Sequence, residues 1–134
     1  MVDGKALAYG HSYTGNALGC AAAKASLEIF ARENVLESLQ AKIEKMSRGL
    51  EALKDLPGVK EIRQCGFICG IEMETAELAS AICVAARSRG LLTRPIRNVI
   101  VLMPPLCITP EQLSLAINAI GESIVDRTNS AAKS

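Results

Sequence analysis

Between Leu36 and Met73 the spacing of apolar residues changes from a helical period to a strand period, and the break falls on Leu56-Pro57-Gly58. Leu36, Leu39, Ile43, Met46, Leu50 and Leu53 recur at intervals of three and four, which sets all six on one stripe of a helix. Proline and glycine then stop the helix. Val59 to Gln64 predicts a strand, and Cys65, Phe67, Cys69, Ile71 and Met73 alternate with Gly66, Ile68, Gly70 and Glu72 as a second strand with one buried face does. A helix must therefore lie against a sheet. The stripe is too short for a coiled-coil seam, so packing within the chain is its expected use. Cys65 and Cys69 are both expected on the buried face as small apolar fillers. Four strand residues span roughly 13 Å, too far for a disulfide between them.

The flanking segments carry their own punctuation. Asn16 is an N-cap before a helix running to about Glu33, with alanines first and Leu27, Ile29 and Phe30 at its end. Thr75 caps a helix carrying Leu78, Ile82 and Ala85, which Gly90 ends. Leu91-Leu92-Thr93 predicts a short strand, Pro95 biases Arg94 to an extended backbone, and Val99 to Met103 is the most apolar strand, stopped by Pro104-Pro105. Thr109-Pro110-Glu111-Gln112 opens a last helix along Leu113, Ile117, Ile120 and Ile124, with a capping box and proline at its first position. From Arg127 to Ser134 the chain is small and polar and is expected to fray. The fold class is α+β, a small domain with helices on one face of a mainly antiparallel sheet.

Composition narrows the function. At 134 residues the chain predicts one domain, and with 49% hydrophobic residues and no Trp its core must be aliphatic. Fifteen basic and fourteen acidic residues leave a charge of +1 without a basic, aromatic-interleaved patch, which argues against nucleic acid. No run approaches the roughly eighteen apolar residues of a membrane span, and Met1-Val2-Asp3-Gly4-Lys5 lacks a signal-peptide pattern, so a cytoplasmic protein without a membrane partner is expected. Five cysteines in such a chain predict reduced thiols. One histidine and no Cys-x-x-Cys pair supply too few ligands for a metal site.

Two stretches carry chemistry. Gly10-His11-Ser12-Tyr13-Thr14-Gly15-Asn16 delivers hydroxyls onto the start of the alanine-rich helix, where unpaired N–H groups and the positive dipole end suit an anion, phosphate above all. The same pattern also serves as a plain hydroxyl-capped helix start. Arg94 offers a permanently charged fork that grips a carboxylate with two hydrogen bonds, or an ordinary surface pair.

The run Gly10 to Asn16, with Leu18-Gly19-Cys20-Ala21 behind it, resembles the segment opening the C-terminal part of class III aminotransferases, which use pyridoxal 5'-phosphate. Gly90-Leu91-Leu92-Thr93-Arg94-Pro95 and Asn98 to Pro105 agree, and the likeness runs from about Ala6 to about Val125. Within the family it is strongest to the members of biotin synthesis. The resemblance implies the small C-terminal domain of a fold-type I aminotransferase that converts 8-amino-7-oxononanoate to 7,8-diaminononanoate, with S-adenosylmethionine the family's usual amino donor. It places residues 1–15 at the end of the large domain as a cofactor-facing loop, 16–126 in the small domain and 127–134 in a flexible tail. It also puts Ser12, with His11 beside it, at the cofactor phosphate of the neighbouring subunit of a homodimer. Gly10 falls near the substrate and Arg94 on its carboxylate, with Arg97 as a competitor for that role. Ser12 stands where the family commonly has Thr, keeping the hydroxyl and losing the methyl that restricts it.

Family members hold the cofactor-binding lysine in a large domain ahead of Gly10, and none of Lys5, Lys24, Lys42, Lys45, Lys54, Lys60 and Lys133 matches its motif. No catalytic residue is assigned here, and the chain alone is expected to be inactive. The alternatives are another class III aminotransferase acting on an ω-amine and a keto acid, or a truncated remnant that acts only by association.

Overall fold

The computed structural model describes residues 10–131, which divide into two compact units between Leu36 and Glu37. In the first, a turn leads into α1 (Ala17–Arg32), where Asn16 accepts a hydrogen bond from the backbone N–H of Gly19 at 2.9 Å. No residue of α1 is buried, and its charged residues, Lys24, Glu28 and Arg32, recur every four positions along one stripe. Asn34, at φ 46°, turns the chain toward α2 (Val35–Glu51), whose first residues close this unit.

The second unit contains the rest of α2, then β1 (Val59–Cys65), β2 (Ile68–Met73), α3 (Ala76–Arg87), β3 (Pro95–Ile96), β4 (Val99–Leu102) and α4 (Pro110–Ala131). Its four strands form one antiparallel sheet in the order β1-β2-β4-β3. The period of two decides which face is covered: Cys69, Ile71 and Met73 of β2 and Ile100 and Leu102 of β4 are buried, with Gly70, Glu72, Val99 and Val101 between them less so. Met46 and Leu50 of α2, Ile82 of α3 and Leu113, Ile117, Ile120 and Ile124 of α4 complete one aliphatic core with that face. On the other face, Arg63 pairs with Glu61 and with Glu72 at 2.6 Å, and Lys60 lies 4.0 Å from Glu72.

Several sequence expectations change. Cys65 closes β1 opposite Ile68, exposed, because Gly66 at φ 55° and Phe67 form the hairpin turn. Buried Phe67 continues the apolar alternation straight through that turn, which is why the period alone placed Cys65 in the second strand. Leu91-Leu92-Thr93 is not a strand. Thr93 instead donates its hydroxyl to the Val101 carbonyl at 2.6 Å, and the ladder opens only at Pro95. The last helix does not stop before Arg127 but reaches Ala131, with the Thr128 and Ser130 hydroxyls donating to carbonyls of Ile124 and Asp126. Leu36, the first residue of the apolar stripe, is 63% exposed.

Candidate functional site

Gly10, His11 and Ser12 lie exposed in the turn before α1. The turn is built by its own side chains. The backbone N–H of His11 donates to the Thr14 hydroxyl at 2.8 Å, and that of Tyr13 to His11 Nδ1 at 3.1 Å. A neutral His11 held in this way carries its proton on Nε2. The Thr14 oxygen is thus engaged within the loop, whereas the Ser12 hydroxyl has no hydrogen bond among the described residues. Asn16 satisfies the N–H of Gly19 with its side chain and that of Cys20 with its carbonyl, and the N–H groups of Ala17 and Leu18 have no intrahelical partner.

In the second unit, α3 ends at Arg87, and Gly90, at φ 81°, adopts a left-handed backbone in the turn that follows. The N–H groups of Gly90 and Leu91 bond back to the carbonyls of Arg87 and Ala86, both at 3.0 Å, which fixes the exit direction of the chain. Leu91 to Arg94 then cross the end of β4 and meet Met103-Pro104-Pro105 and the first turns of α4. Between these segments lies an open groove of ≈ 520 Å³. Its walls are apolar, with Leu91, Leu92, Ile96, Met103 and Pro104 prominent, and its charged lining residues are Arg94 and Arg87. Both arginines are exposed, and neither has an ion pair or side-chain hydrogen bond among the described residues. Thr93 also lines the groove, but its hydroxyl proton is committed to Val101.

Two nearby arginines are excluded from this arrangement. Arg89 is held by Glu122 at 2.9 Å and by Asp126, and those carboxylates keep its guanidinium above its ordinary range. Arg97 occupies the β3–β4 turn at φ 56° and does not line the groove. Beside it, Asn98 anchors the turn by donating to the Met73 carbonyl at 2.9 Å and to Glu72 at 3.3 Å. The sequence reading missed Arg87. One arginine in the last turn of a helix looks like any cation placed to suit the dipole, and only the folded groove distinguishes it.

The family model for aminotransferase class III matches residues 3–124. The chain belongs to the class III aminotransferases. It is 40% identical over 135 residues to the adenosylmethionine-8-amino-7-oxononanoate aminotransferase of Anoxybacillus flavithermus, covering 92% of this chain and 30% of that enzyme. The namesake from Methanocaldococcus jannaschii is 42% identical over 133 residues, covering 91% and 29%. A crystal structure of the Methanocaldococcus enzyme superposes with a TM-score of 0.82 at 38% identity, over 90% of this chain and 30% of that one. The chain therefore spans about 30% of the length of the relatives it matches, and its fold is that of the small α+β domain of fold-type I aminotransferases.

Among the described residues no helix is long and apolar enough to cross a membrane, and no group of His, Cys, Asp and Glu is arranged to hold a metal.

Proposed function

We propose that this chain provides the substrate-carboxylate and cofactor-phosphate contacts of a cytoplasmic, homodimeric transaminase that converts 8-amino-7-oxononanoate to 7,8-diaminononanoate. One observation carries the reading: the Arg94 guanidinium, unpaired among the described residues, stands on an apolar groove. The keto acid has the complementary form, an aliphatic stem ending in a carboxylate. Arg94 grips that carboxylate through two charge-assisted bonds while Leu91, Leu92 and Met103 cover the methylenes, which orients the distant carbonyl. Arg97, off the groove, is the weaker candidate.

Pyridoxal 5'-phosphate suits the first unit at its phosphate end, where the Ser12 hydroxyl, unpartnered among the described residues, and the N–H groups of Ala17 and Leu18 in the first turn of α1 are donors of the type a phosphate takes. When bound, the cofactor carries the amino group from donor to acceptor. Ser12, with His11 beside it, would hold the phosphate of the neighbouring subunit, and Gly10 would face the substrate. None of the described lysines lines the groove: Lys24, Lys54 and Lys60 have acidic partners and Lys42 donates to the Leu106 carbonyl. Lys45 belongs to α2. Lys5 and Lys133 lie outside the described residues. The covalent lysine is assigned to a preceding large domain, and the 134-residue chain is expected to be inactive alone.

The test grafts this chain onto the preceding part of the Methanocaldococcus enzyme in place of its own matching segment. The graft should aminate 8-amino-7-oxononanoate, and Arg94→Ala should raise KM for the keto acid about tenfold or more while leaving the unfolding midpoint unchanged. An unchanged KM would remove Arg94 from the site, and preference for a different keto acid would reassign the substrate. Turnover by the ungrafted chain supplied with the cofactor would overturn the division of labour.

A further inference from the structure

We propose that the groove is a two-cation site for aliphatic dicarboxylates, with Arg87 as its second anion-recognising residue. Arg87 ends α3 and Arg94 precedes β3, yet both line one cavity whose remaining surface is almost wholly apolar. Among the described residues no aspartate or glutamate lines it, so its two charged lining residues are both basic. The neighbouring Arg89, by contrast, meets two carboxylates of α4. The one lining hydroxyl, Thr93, has spent its proton on Val101, so the two guanidinia are the groove's remaining side-chain donors among the described residues.

A ligand complementary to that surface has an apolar stem and an anion at each end. A monocarboxylate satisfies one guanidinium and leaves the other without a counter-charge. A dicarboxylate of matching length pairs both while burying its methylenes against Leu91, Leu92 and Met103. This goes beyond the transaminase reading, which uses Arg94 alone, and it predicts that such a dicarboxylate excludes the keto acid from the same groove.

The experiment uses the 134-residue chain itself, titrated with azelate, with its shorter and longer homologues and with pelargonate, and followed by amide shifts in two-dimensional NMR. At one chain length the dicarboxylate should bind about tenfold or more tightly than pelargonate, with shifts centred on residues 91–94 and 103. Arg87→Gln should abolish that advantage, bringing the dicarboxylate down to the affinity that pelargonate shows for the same variant. Arg87→Lys, which keeps charge but loses the fork, should retain part of it. Equal binding of mono- and dicarboxylates at every length, binding of neither, or an advantage that survives Arg87→Gln would each overturn the proposal. The readout needs no catalysis. A graft that aminates the keto acid through Arg94 while the chain shows no dicarboxylate preference would sink this inference alone.

Discussion

Replacing Gly49 by alanine tests the close approach of α2 to α4, the helix that also carries Ala116 of the groove wall. Within α2, alanine is favoured over glycine by about 1 kcal/mol of helix propensity. Against that stands space. A β-carbon at position 49 would lie 2.9 Å from Ile117 Cδ1, 3.3 Å from its Cγ2 and 3.8 Å from its Cβ. Ile117 is only 4% exposed, and a β-branched side chain on a helix is held to one χ1 rotamer, so Cδ1, the nearer atom, has little room to give. Overpacking of this kind costs about 1–3 kcal/mol. The net is a loss of about 1 kcal/mol, or roughly 4–8 °C in the melting midpoint of a domain this size. Ile117→Val removes the offending Cδ1 and by itself costs about 0.5–1.5 kcal/mol. In the alanine background that cost should largely vanish, giving a coupling of about 0.5–1 kcal/mol between the two sites. Urea and thermal unfolding of the four members of the cycle measure it. A Gly49→Ala variant that melts higher than the parent, or effects that merely add, would refute the close approach of α2 and α4.

The thiols and the sheet's open face give further tests. Cys69, with burial pushing its thiol up to about 11, and buried Cys83, raised for the same reason, should resist iodoacetamide under native conditions at pH 8 while exposed Cys20, Cys65 and Cys107 react; rapid labelling of Cys69 would contradict its placement in the core. Glu72 is held below the usual carboxylate range, first by the Arg63 hydrogen bond and then by Asn98. A depressed folded-state value means the contribution is present above the ordinary carboxylate pKa and is lost as pH falls through the depressed one. Arg63→Gln should therefore flatten the acid limb of the urea midpoint against pH, and an unchanged limb would show that the pair contributes nothing.

Much of the fold could be read in advance where local chemistry and global packing agree. Asn16 and Thr75 cap the helices they precede, and the Thr109 and Gln112 reciprocal cap forms with both hydrogen bonds, at 3.0 and 3.2 Å. The α2 stripe buries Met46 and Leu50 fully and Leu39 and Ile43 in part. Reading failed where one local signal stood for two structures. Phe67 keeps the strand period while sitting in a turn, and Leu91-Leu92-Thr93 is apolar because it walls a groove rather than because it pairs in a sheet. Arg94 could be singled out from its Arg-Pro context, but its place in a cavity with Arg87 could not. That cavity is assembled from the end of α3, the end of β4 and the start of α4, and no window of sequence contains all three.

The Asn98 anchor divides the surroundings of the groove into a stiff side and a pliant one. The turn after Ile96 is bound to β2 through the Asn98 side chain, and the Met73 N–H donates to the Asn98 carbonyl at 2.8 Å. Few substitutions there can spare the sheet. Positions 92 and 103 lie outside the strands, with Leu92 83% and Met103 66% exposed, so they can vary in bulk at little structural penalty. New preferences for stem length or branching should arise along that lip, while the guanidinium at position 94, next to the strand that Asn98 steadies, keeps its aim.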